Sequence, residues 1–211
     1  MCLIVFAWRP THAQPLIVAA NRDEFYARPS LPLAQWQDHS AIYAGRDLKA
    51  GGTWLGVSQN GRFAALTNIR NPQLIQGGPS RGELVADYLR GQLDAEDYLT
   101  ELGARADSYA GFNLLLGDTR QLWHFNQQQA VPRKLPEGIY GLSNADLDSP
   151  WPKVQRVKTA LEKSLQQPCL EALLDLLQDA HTPADSELPE TGVALPIERL
   201  LSSVFIASPS Y

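Results

Sequence analysis

The chain has 211 residues, of which 44% are hydrophobic and 19% charged, with a formal net charge of −5. This composition predicts one ordinary globular domain over residues 1–211 with a substantial core, and excludes a disordered chain. The acidic balance offers no basic stripe for phosphates, so no nucleic-acid partner is expected. The two cysteines, Cys2 and Cys169, are too few for a disulfide framework and point to a reducing compartment, the cytoplasm. The opening apolar run is too short for a signal peptide or a transmembrane segment.

Strands dominate the first third. Leu3 to Trp8 and Leu16 to Ala20 flank Arg9-Pro10-Thr11-His12 as a hairpin. Asn21 to Ser40, with Pro29 and Pro32, reads as loop. Trp54 to Ser58 and Arg62 to Thr67 flank Asn60-Gly61, a two-residue turn signal in which both positions take positive φ. Ser80-Arg81-Gly82-Glu83 reads as a capping box opening a helix through about Gln92, and Asp94 as the cap of a second helix. Strands return over Phe112 to Gly117, Gln121 to Phe125 and Ile139 to Leu142. Pro152 begins a helix with Val154, Val157, Leu161 and Leu165 on one face, and Cys169 to Ala180 a further one striped by Leu170, Leu173, Leu174 and Leu177. A short helix is expected near Pro196 to Leu201. Strands, two helices, strands, then helices describe an α+β domain with segregated helical layers.

Cys2 is the most informative residue. Methionine aminopeptidase tolerates a side chain this small after Met1, and removal would leave thiol and α-amine on one residue. The amine titrates at roughly 8 and the thiol at about 8.5, so the amine can accept the thiol proton. Nucleophile and general base then share a residue. The hairpin would bring Asn21-Arg22-Asp23-Glu24 beside the N-terminus, where a guanidinium lowers a thiol's pKa and a carboxylate can hold an ammonium. Gly45-Arg46-Asp47 with Gly51-Gly52-Thr53-Trp54 could be a ligand loop or a turn. Asn68 and Asn144, in Thr67-Asn68 and Ser143-Asn144, leave strand ends, where an amide can donate to an oxyanion or simply make a turn.

Met1-Cys2, Asn21-Arg22-Asp23-Glu24, Gly45-Arg46-Asp47, Gly51-Gly52-Thr53-Trp54-Leu55-Gly56 and Thr67-Asn68 together resemble the NRDE family, also called the transport and Golgi organisation protein 2 family. That family in turn resembles N-terminal nucleophile hydrolases of the choloylglycine hydrolase and penicillin acylase type. The resemblance implies a four-layered αββα sandwich acting on non-peptide amides or thioesters. It makes Cys2 the nucleophile, Arg22 the arginine beside the thiol and Asp23 the nearby carboxylate. Asn68 becomes the oxyanion donor and Asn144 the residue holding the amine. The hydrolases read Arg-x-x-Asp where this chain reads Arg22-Asp23. The chain also stops at Tyr211, where such chains carry a Gly-Thr-Arg-Ser segment, so a sandwich lacking C-terminal strands is included in the expectation.

The hydrolase reading requires no cofactor. The same resemblance implies an alternative, a non-catalytic intracellular protein that binds and traffics haem or an acyl lipid. His12, His39, His124 and His181 lack ligand-like spacing, so no metal site is expected. Trp36, Trp54, Trp123 and Trp151 read as core or pocket wall, and Cys169 as a buried, inert thiol.

Overall fold

A computed structural model describes residues 2–73, 78–167 and 169–209; Met1, the subject of the processing expectation, lies outside the described residues. In chain order the elements are β1 (Cys2–Trp8), β2 (Leu16–Arg22), β3 (Ser30–Gln35), β4 (Ile42–Asp47), β5 (Leu55–Ser58), β6 (Phe63–Asn68), α1 (Gly82–Arg90), α2 (Ala95–Gly103), β7 (Phe112–Gly117), β8 (Leu122–Asn126), β9 (Val131–Lys134), β10 (Gly138–Leu142), α3 (Pro152–Ser164), α4 (Leu170–Asp175) and α5 (Leu195–Leu200). The chain divides into two compact units, one drawn from residues 1–25, 69–73 and 137–211, the other from 26–68 and 74–136.

The first unit is a three-stranded antiparallel sheet in the order β10-β1-β2. All seven residues of β1 are buried, as a continuous apolar run between neighbouring strands requires. Alternation sends Leu3, Val5 and Ala7 into a cluster with Trp151, Val154, Val157 and Leu161 of α3 and its entry. Cys2, Ile4, Phe6 and Trp8 occupy the other face, with Phe6 stacked on Tyr140 at 5.2 Å between ring centroids. Pro152 sits in the first turn of α3, as the sequence predicts, because that turn needs no N–H from it. The predicted Cys169–Ala180 helix is shorter, ending at Asp175 and tightening into a 3-10 turn over Leu176–Gln178. Its leucine stripe is split: Leu177 is buried and Leu173 packs half-buried against the core, while Leu170 and Leu174 are exposed. Cys169 is also exposed rather than buried, its Sγ accepting the Ala172 N–H at 3.5 Å as a helix cap.

The second unit is a seven-stranded antiparallel meander, β3-β4-β5-β6-β7-β8-β9. Ala64, Leu66, Leu114, Leu116, Trp123 and Phe125 form one core with Leu84, Leu89, Leu99 and Leu102 of α1 and α2. Three strands, β3, β4 and β9, escape the sequence reading. β3 carries Pro32 and β9 carries Pro132, and both are edge strands, where a missing N–H breaks no ladder.

Two turn assignments are corrected. Only Gly61 of Asn60-Gly61 has positive φ, at 77°. Gly61 N–H donates to Ser58 O at 3.0 Å and Ser58 N–H to Arg62 O at 2.9 Å, giving a three-residue loop with the glycine at its bulge. At Ser80–Glu83 no side-chain cap forms; Glu83 instead accepts from the Tyr109 hydroxyl at 2.5 Å. Asp94 does cap α2, accepting the Asp97 N–H at 2.9 Å.

Gly51-Gly52 is a structural turn. Gly51 has φ of 77°, and a Cβ on Gly52 would lie 2.5 Å from the Gly82 carbonyl at the start of α1. Gly52→Ala is expected to lose about 1–3 kcal/mol of stability in urea unfolding, since backbone rather than a flexible side chain must give way. Gly103→Ala meets nothing within 4 Å and is expected to be neutral or gain up to about 1 kcal/mol. Equal effects of the two substitutions would contradict this account of the loop.

Candidate functional site

Pairing of β1 with β2 sets Cys2 opposite Arg22 and Leu3 opposite Asn21. Alternation divides the tetrapeptide between faces. Asn21 shares Leu3's face, and its side-chain amide donates to Leu177 O at 2.8 Å and Val204 O at 3.0 Å, tying the strand to the C-terminal segment. Arg22 shares the face of Cys2 and pairs with Glu24 at 3.6 Å. The Asp23 backbone N–H is hydrogen-bonded to the Cys2 sulfur. On the other side, the Ser143 hydroxyl donates to Cys2 O at 3.1 Å and lies 3.2 Å from Asn144 Oδ1. The fold thus gathers Cys2, Arg22, Asp23 and Asn144 at one end of the three-stranded sheet. Asn68 belongs to the second unit, closing β6 opposite Phe112.

Three further charged residues of the first unit stand at this end, and sequence reasoning missed their role. Arg70 donates its backbone N–H to Asn144 O at 2.7 Å and its guanidinium to Glu198 at 2.7 Å. That ion pair is buried, each side chain 5% exposed. Trp151 lies under the guanidinium at 4.8 Å. Glu198 takes Arg70 on Oε2, while Oε1 accepts from the backbone N–H and the hydroxyl of Thr191. Lys153, in the first turn of α3 and 3% exposed, donates Nζ–H to Leu201 O at 2.8 Å. Arg70 reaches that same carbonyl at 3.4 Å. A cation in a first helical turn opposes the helix dipole, and this was the signal in the sequence that could have found Lys153.

Burial dominates the electrostatics. It pushes the Cys2 thiol up to about 11, Asp23's charge adding to the rise while Arg22 and the Asp23 N–H oppose it. Burial also raises Asp23, with Lys153 the leading charge pulling it back. Lys153 falls to about 8, through burial and then Arg70, against the attraction of Asp23, Cys2 and Glu198.

The second unit holds a buried polar ladder that periodicity did not reveal. Asn113 donates to Thr67 Oγ1 at 3.2 Å and accepts from Asn126 at 2.9 Å. His124 has Asn113 Oδ1 3.3 Å from Nε2 and Arg133 3.0 Å from Nδ1. Both ring nitrogens are therefore engaged. Gly45-Arg46-Asp47 also serves structure: Arg46 binds Asp38 with two bonds, at 2.6 and 2.8 Å, and Asp47 caps the following turn through Lys49 N–H at 2.9 Å. Among the described residues, no three His, Cys, Asp or Glu side chains form a group that could hold a metal ion, and no helix is long and apolar enough to cross a membrane.

The model of the family described as Transport and Golgi organisation 2 matches residues 1–211. The chain is 38% identical to the human Transport and Golgi organization protein 2 homolog, the match covering 92% of this chain and 76% of that protein. The Bos taurus homolog is 35% identical, over 100% of this chain and 85% of that protein. Transport and Golgi organization protein 2 of Drosophila melanogaster is 31% identical, over 86% and 73%. Among solved structures, the Caenorhabditis elegans ortholog of N-acylethanolamine-hydrolyzing acid amidase, an N-terminal nucleophile hydrolase, superposes with a TM-score of 0.52 at 9% identity. The superposition covers 98% of this chain and 100% of that one, and at this identity the likeness is one of fold: mixed α+β of the N-terminal nucleophile hydrolase type.

Two expectations follow from the buried charges. Arg70→Ala is expected to cost about 3–5 kcal/mol in chemical unfolding, because it leaves the Glu198 carboxylate buried without its cation. Arg70→Ala/Glu198→Gln should recover part of that loss, and no recovery would deny the pair its role. The second expectation concerns Lys153, whose folded value of about 8 lies below its ordinary 10.5. Between these values the unfolded chain holds the extra proton, so this group's contribution to stability rises with pH. The stability of wild type relative to Lys153→Met should increase as pH rises from about 8 to 10, and a flat difference would contradict it.

Proposed function

The chain belongs to the Transport and Golgi organisation 2 family, and on that premise we propose that it is an N-terminal-nucleophile-type amidohydrolase or acyl-transfer protein using Cys2 on a non-peptide amide or thioester. The observation that carries the reading is the placing of Cys2 opposite Arg22, with the Asp23 N–H on its sulfur and the Ser143 hydroxyl on its carbonyl. Each of these groups favours the thiolate or fixes the residue's backbone. The likeness in fold to an acid amidase supports the same reading.

In the mature protein, with Met1 removed, the α-amine of Cys2 takes the thiol proton. The thiolate then attacks the substrate carbonyl and an S–C bond forms. Asn68 is the oxyanion donor that the resemblance implies. The C–N or C–S bond breaks as the leaving group takes the proton from the α-ammonium. Water, or an acceptor amine or thiol, then attacks the thioester, giving its proton to the α-amine and releasing Cys2. Asp23 and Asn144 hold the amine in its orientation, and Arg22 faces the thiolate.

A second reading is a non-catalytic carrier of haem or an acyl lipid, in which the thiol, pushed up to about 11 by burial, takes no part in chemistry. Both His124 ring nitrogens are engaged, and among the described residues no group of three or more His, Cys, Asp or Glu could hold a metal ion. No step of this reading therefore runs through iron.

The deciding experiment uses protein carrying Cys169→Ser, which removes the exposed thiol. Incubation with a short-chain acyl thioester should give a mass increase of one acyl group on Cys2, and Cys2→Ala should abolish it. Absence of an adduct, together with a saturable haemin absorbance shift that survives Cys2→Ala, would overturn the hydrolase reading in favour of the carrier.

A further inference from the structure

We propose that Asp148 is a positioning residue of the Cys2 site: its carboxylate clasps the open edge of β10 and closes the loop that holds Ser143 and Asn144 at the first residue of β1. The inference rests on the reading of Cys2 as nucleophile and adds to it a residue from outside the set that the resemblance implies.

β10 is an edge strand, paired with β1 on one side. An edge leaves N–H and C=O groups open, and at Gly141 Asp148 takes both. Its backbone N–H donates to Gly141 O at 2.8 Å, and its Oδ1 accepts the Gly141 N–H at 2.8 Å. One residue thus supplies donor and acceptor, as a neighbouring strand would. The same Oδ1 accepts from Lys158 Nζ at 2.7 Å, which ties the clasp to α3.

Both partners of the clasp are constrained. Asp148 has φ of 56° and is one of two non-glycine residues with positive φ among the described residues. That region is sparsely populated by residues with a Cβ. Such conformations persist where the surrounding structure holds them, and they cluster at functional sites. At Gly141 a Cβ would lie 2.6 Å from Val154 Cγ1 and 3.3 Å from the Lys158 side chain. Its bare backbone lets α3 approach the strand closely enough for Lys158 to meet Asp148.

The clasp encloses residues 142–147. Within it the Ser143 hydroxyl, on a residue 2% exposed, donates to Cys2 O at 3.1 Å. Asn144 is fully buried, and its carbonyl accepts the Arg70 N–H at 2.7 Å. Residues 145–147 are only half-buried, so the far side of the loop depends on its closure at Gly141. Asp148 touches no reacting atom; it acts through Ser143 and Asn144.

The test separates the carboxylate from the backbone conformation, in Cys169→Ser protein. Asp148→Asn keeps an acceptor for the Gly141 N–H. Asp148→Ala and Asp148→Gly both remove it, but glycine takes positive φ without strain. Thermal stability should therefore favour Asp148→Gly over Asp148→Ala, whereas the site should not distinguish them. The first readout is hydrogen exchange of the Arg70 amide, which Asn144 O accepts, relative to the Phe6 amide in the central strand β1. Protection should fall about tenfold in both Asp148→Ala and Asp148→Gly, and stay within about twofold of wild type in Asp148→Asn. The second readout is the rate of adduct formation on Cys2 from a short-chain acyl thioester, expected to follow the same order. Wild-type protection of Arg70 in Asp148→Gly would overturn the proposal, as would an Asp148→Asn protein as poorly protected as Asp148→Gly. Should Asp148→Ala fail to fold, Asp148→Gly against Asp148→Asn decides. Exchange needs no turnover, so the two readings fail separately. Lost protection where wild type forms no adduct keeps the clasp and removes the hydrolase; adducts at the wild-type rate in every variant do the reverse.

Discussion

The antiparallel pairing of β1 with β2 is the constraint on which the rest depends. It carries seven register pairs, from Cys2 with Arg22 to Trp8 with Leu16. Because side chains alternate along a strand, a slip of one residue would exchange Asn21 and Arg22 between faces. Asn21 would lose the carbonyls of Leu177 and Val204, and Arg22 would leave the face of Cys2. The burial of β1 on both sides makes that slip prohibitive, since Leu3, Val5 and Ala7 would trade places with Cys2, Ile4 and Phe6. The core of the first unit therefore fixes the geometry of its most reactive residue.

Near that pairing the fold holds a buried ion pair, Arg70 with Glu198. A buried ion pair contributes little net stability, whereas an unpaired one is strongly destabilising, so such groups persist where they hold an arrangement rather than strengthen a core. Arg70 joins several segments at once: its backbone holds Asn144, its guanidinium holds Glu198, and the Trp151 ring covers it. Removal of water raises the energy of every charge in the cluster, which is why Cys2, Asp23 and Lys153 all shift toward their neutral forms. Burial thus favours the neutral thiol of Cys2. Anything that adds a positive charge near the sulfur moves it toward the thiolate.

Much of this was legible in the sequence where the signal is local. The β1–β2 hairpin placed Asn21-Arg22-Asp23-Glu24 beside Cys2, and the pairing is there. Asp94 and Pro152 marked helix starts because caps and first turns depend on neighbouring residues alone. Pro32 and Pro132 hid β3 and β9, because only the sheet order shows that these strands are edges. The Gly51-Gly52 pair, equally a ligand loop or a turn by sequence, is explained by the closeness of Gly82, thirty positions along the chain. The leucines after Cys169 had helical spacing, but the helix stops too early to bury them together.

The remainder of the cluster could not be read locally. Arg70 and Glu198 are 128 residues apart in sequence, and no periodicity links them. Lys153 belongs to a stretch whose apolar spacing already explained the helix, so its charge drew no notice. The most direct measurement of the central claim is peptide mass mapping of the N-terminus of protein purified from its native host. The account predicts a first residue of Cys2 with a free amine. A chain that retains Met1 would leave Cys2 without its base and contradict it.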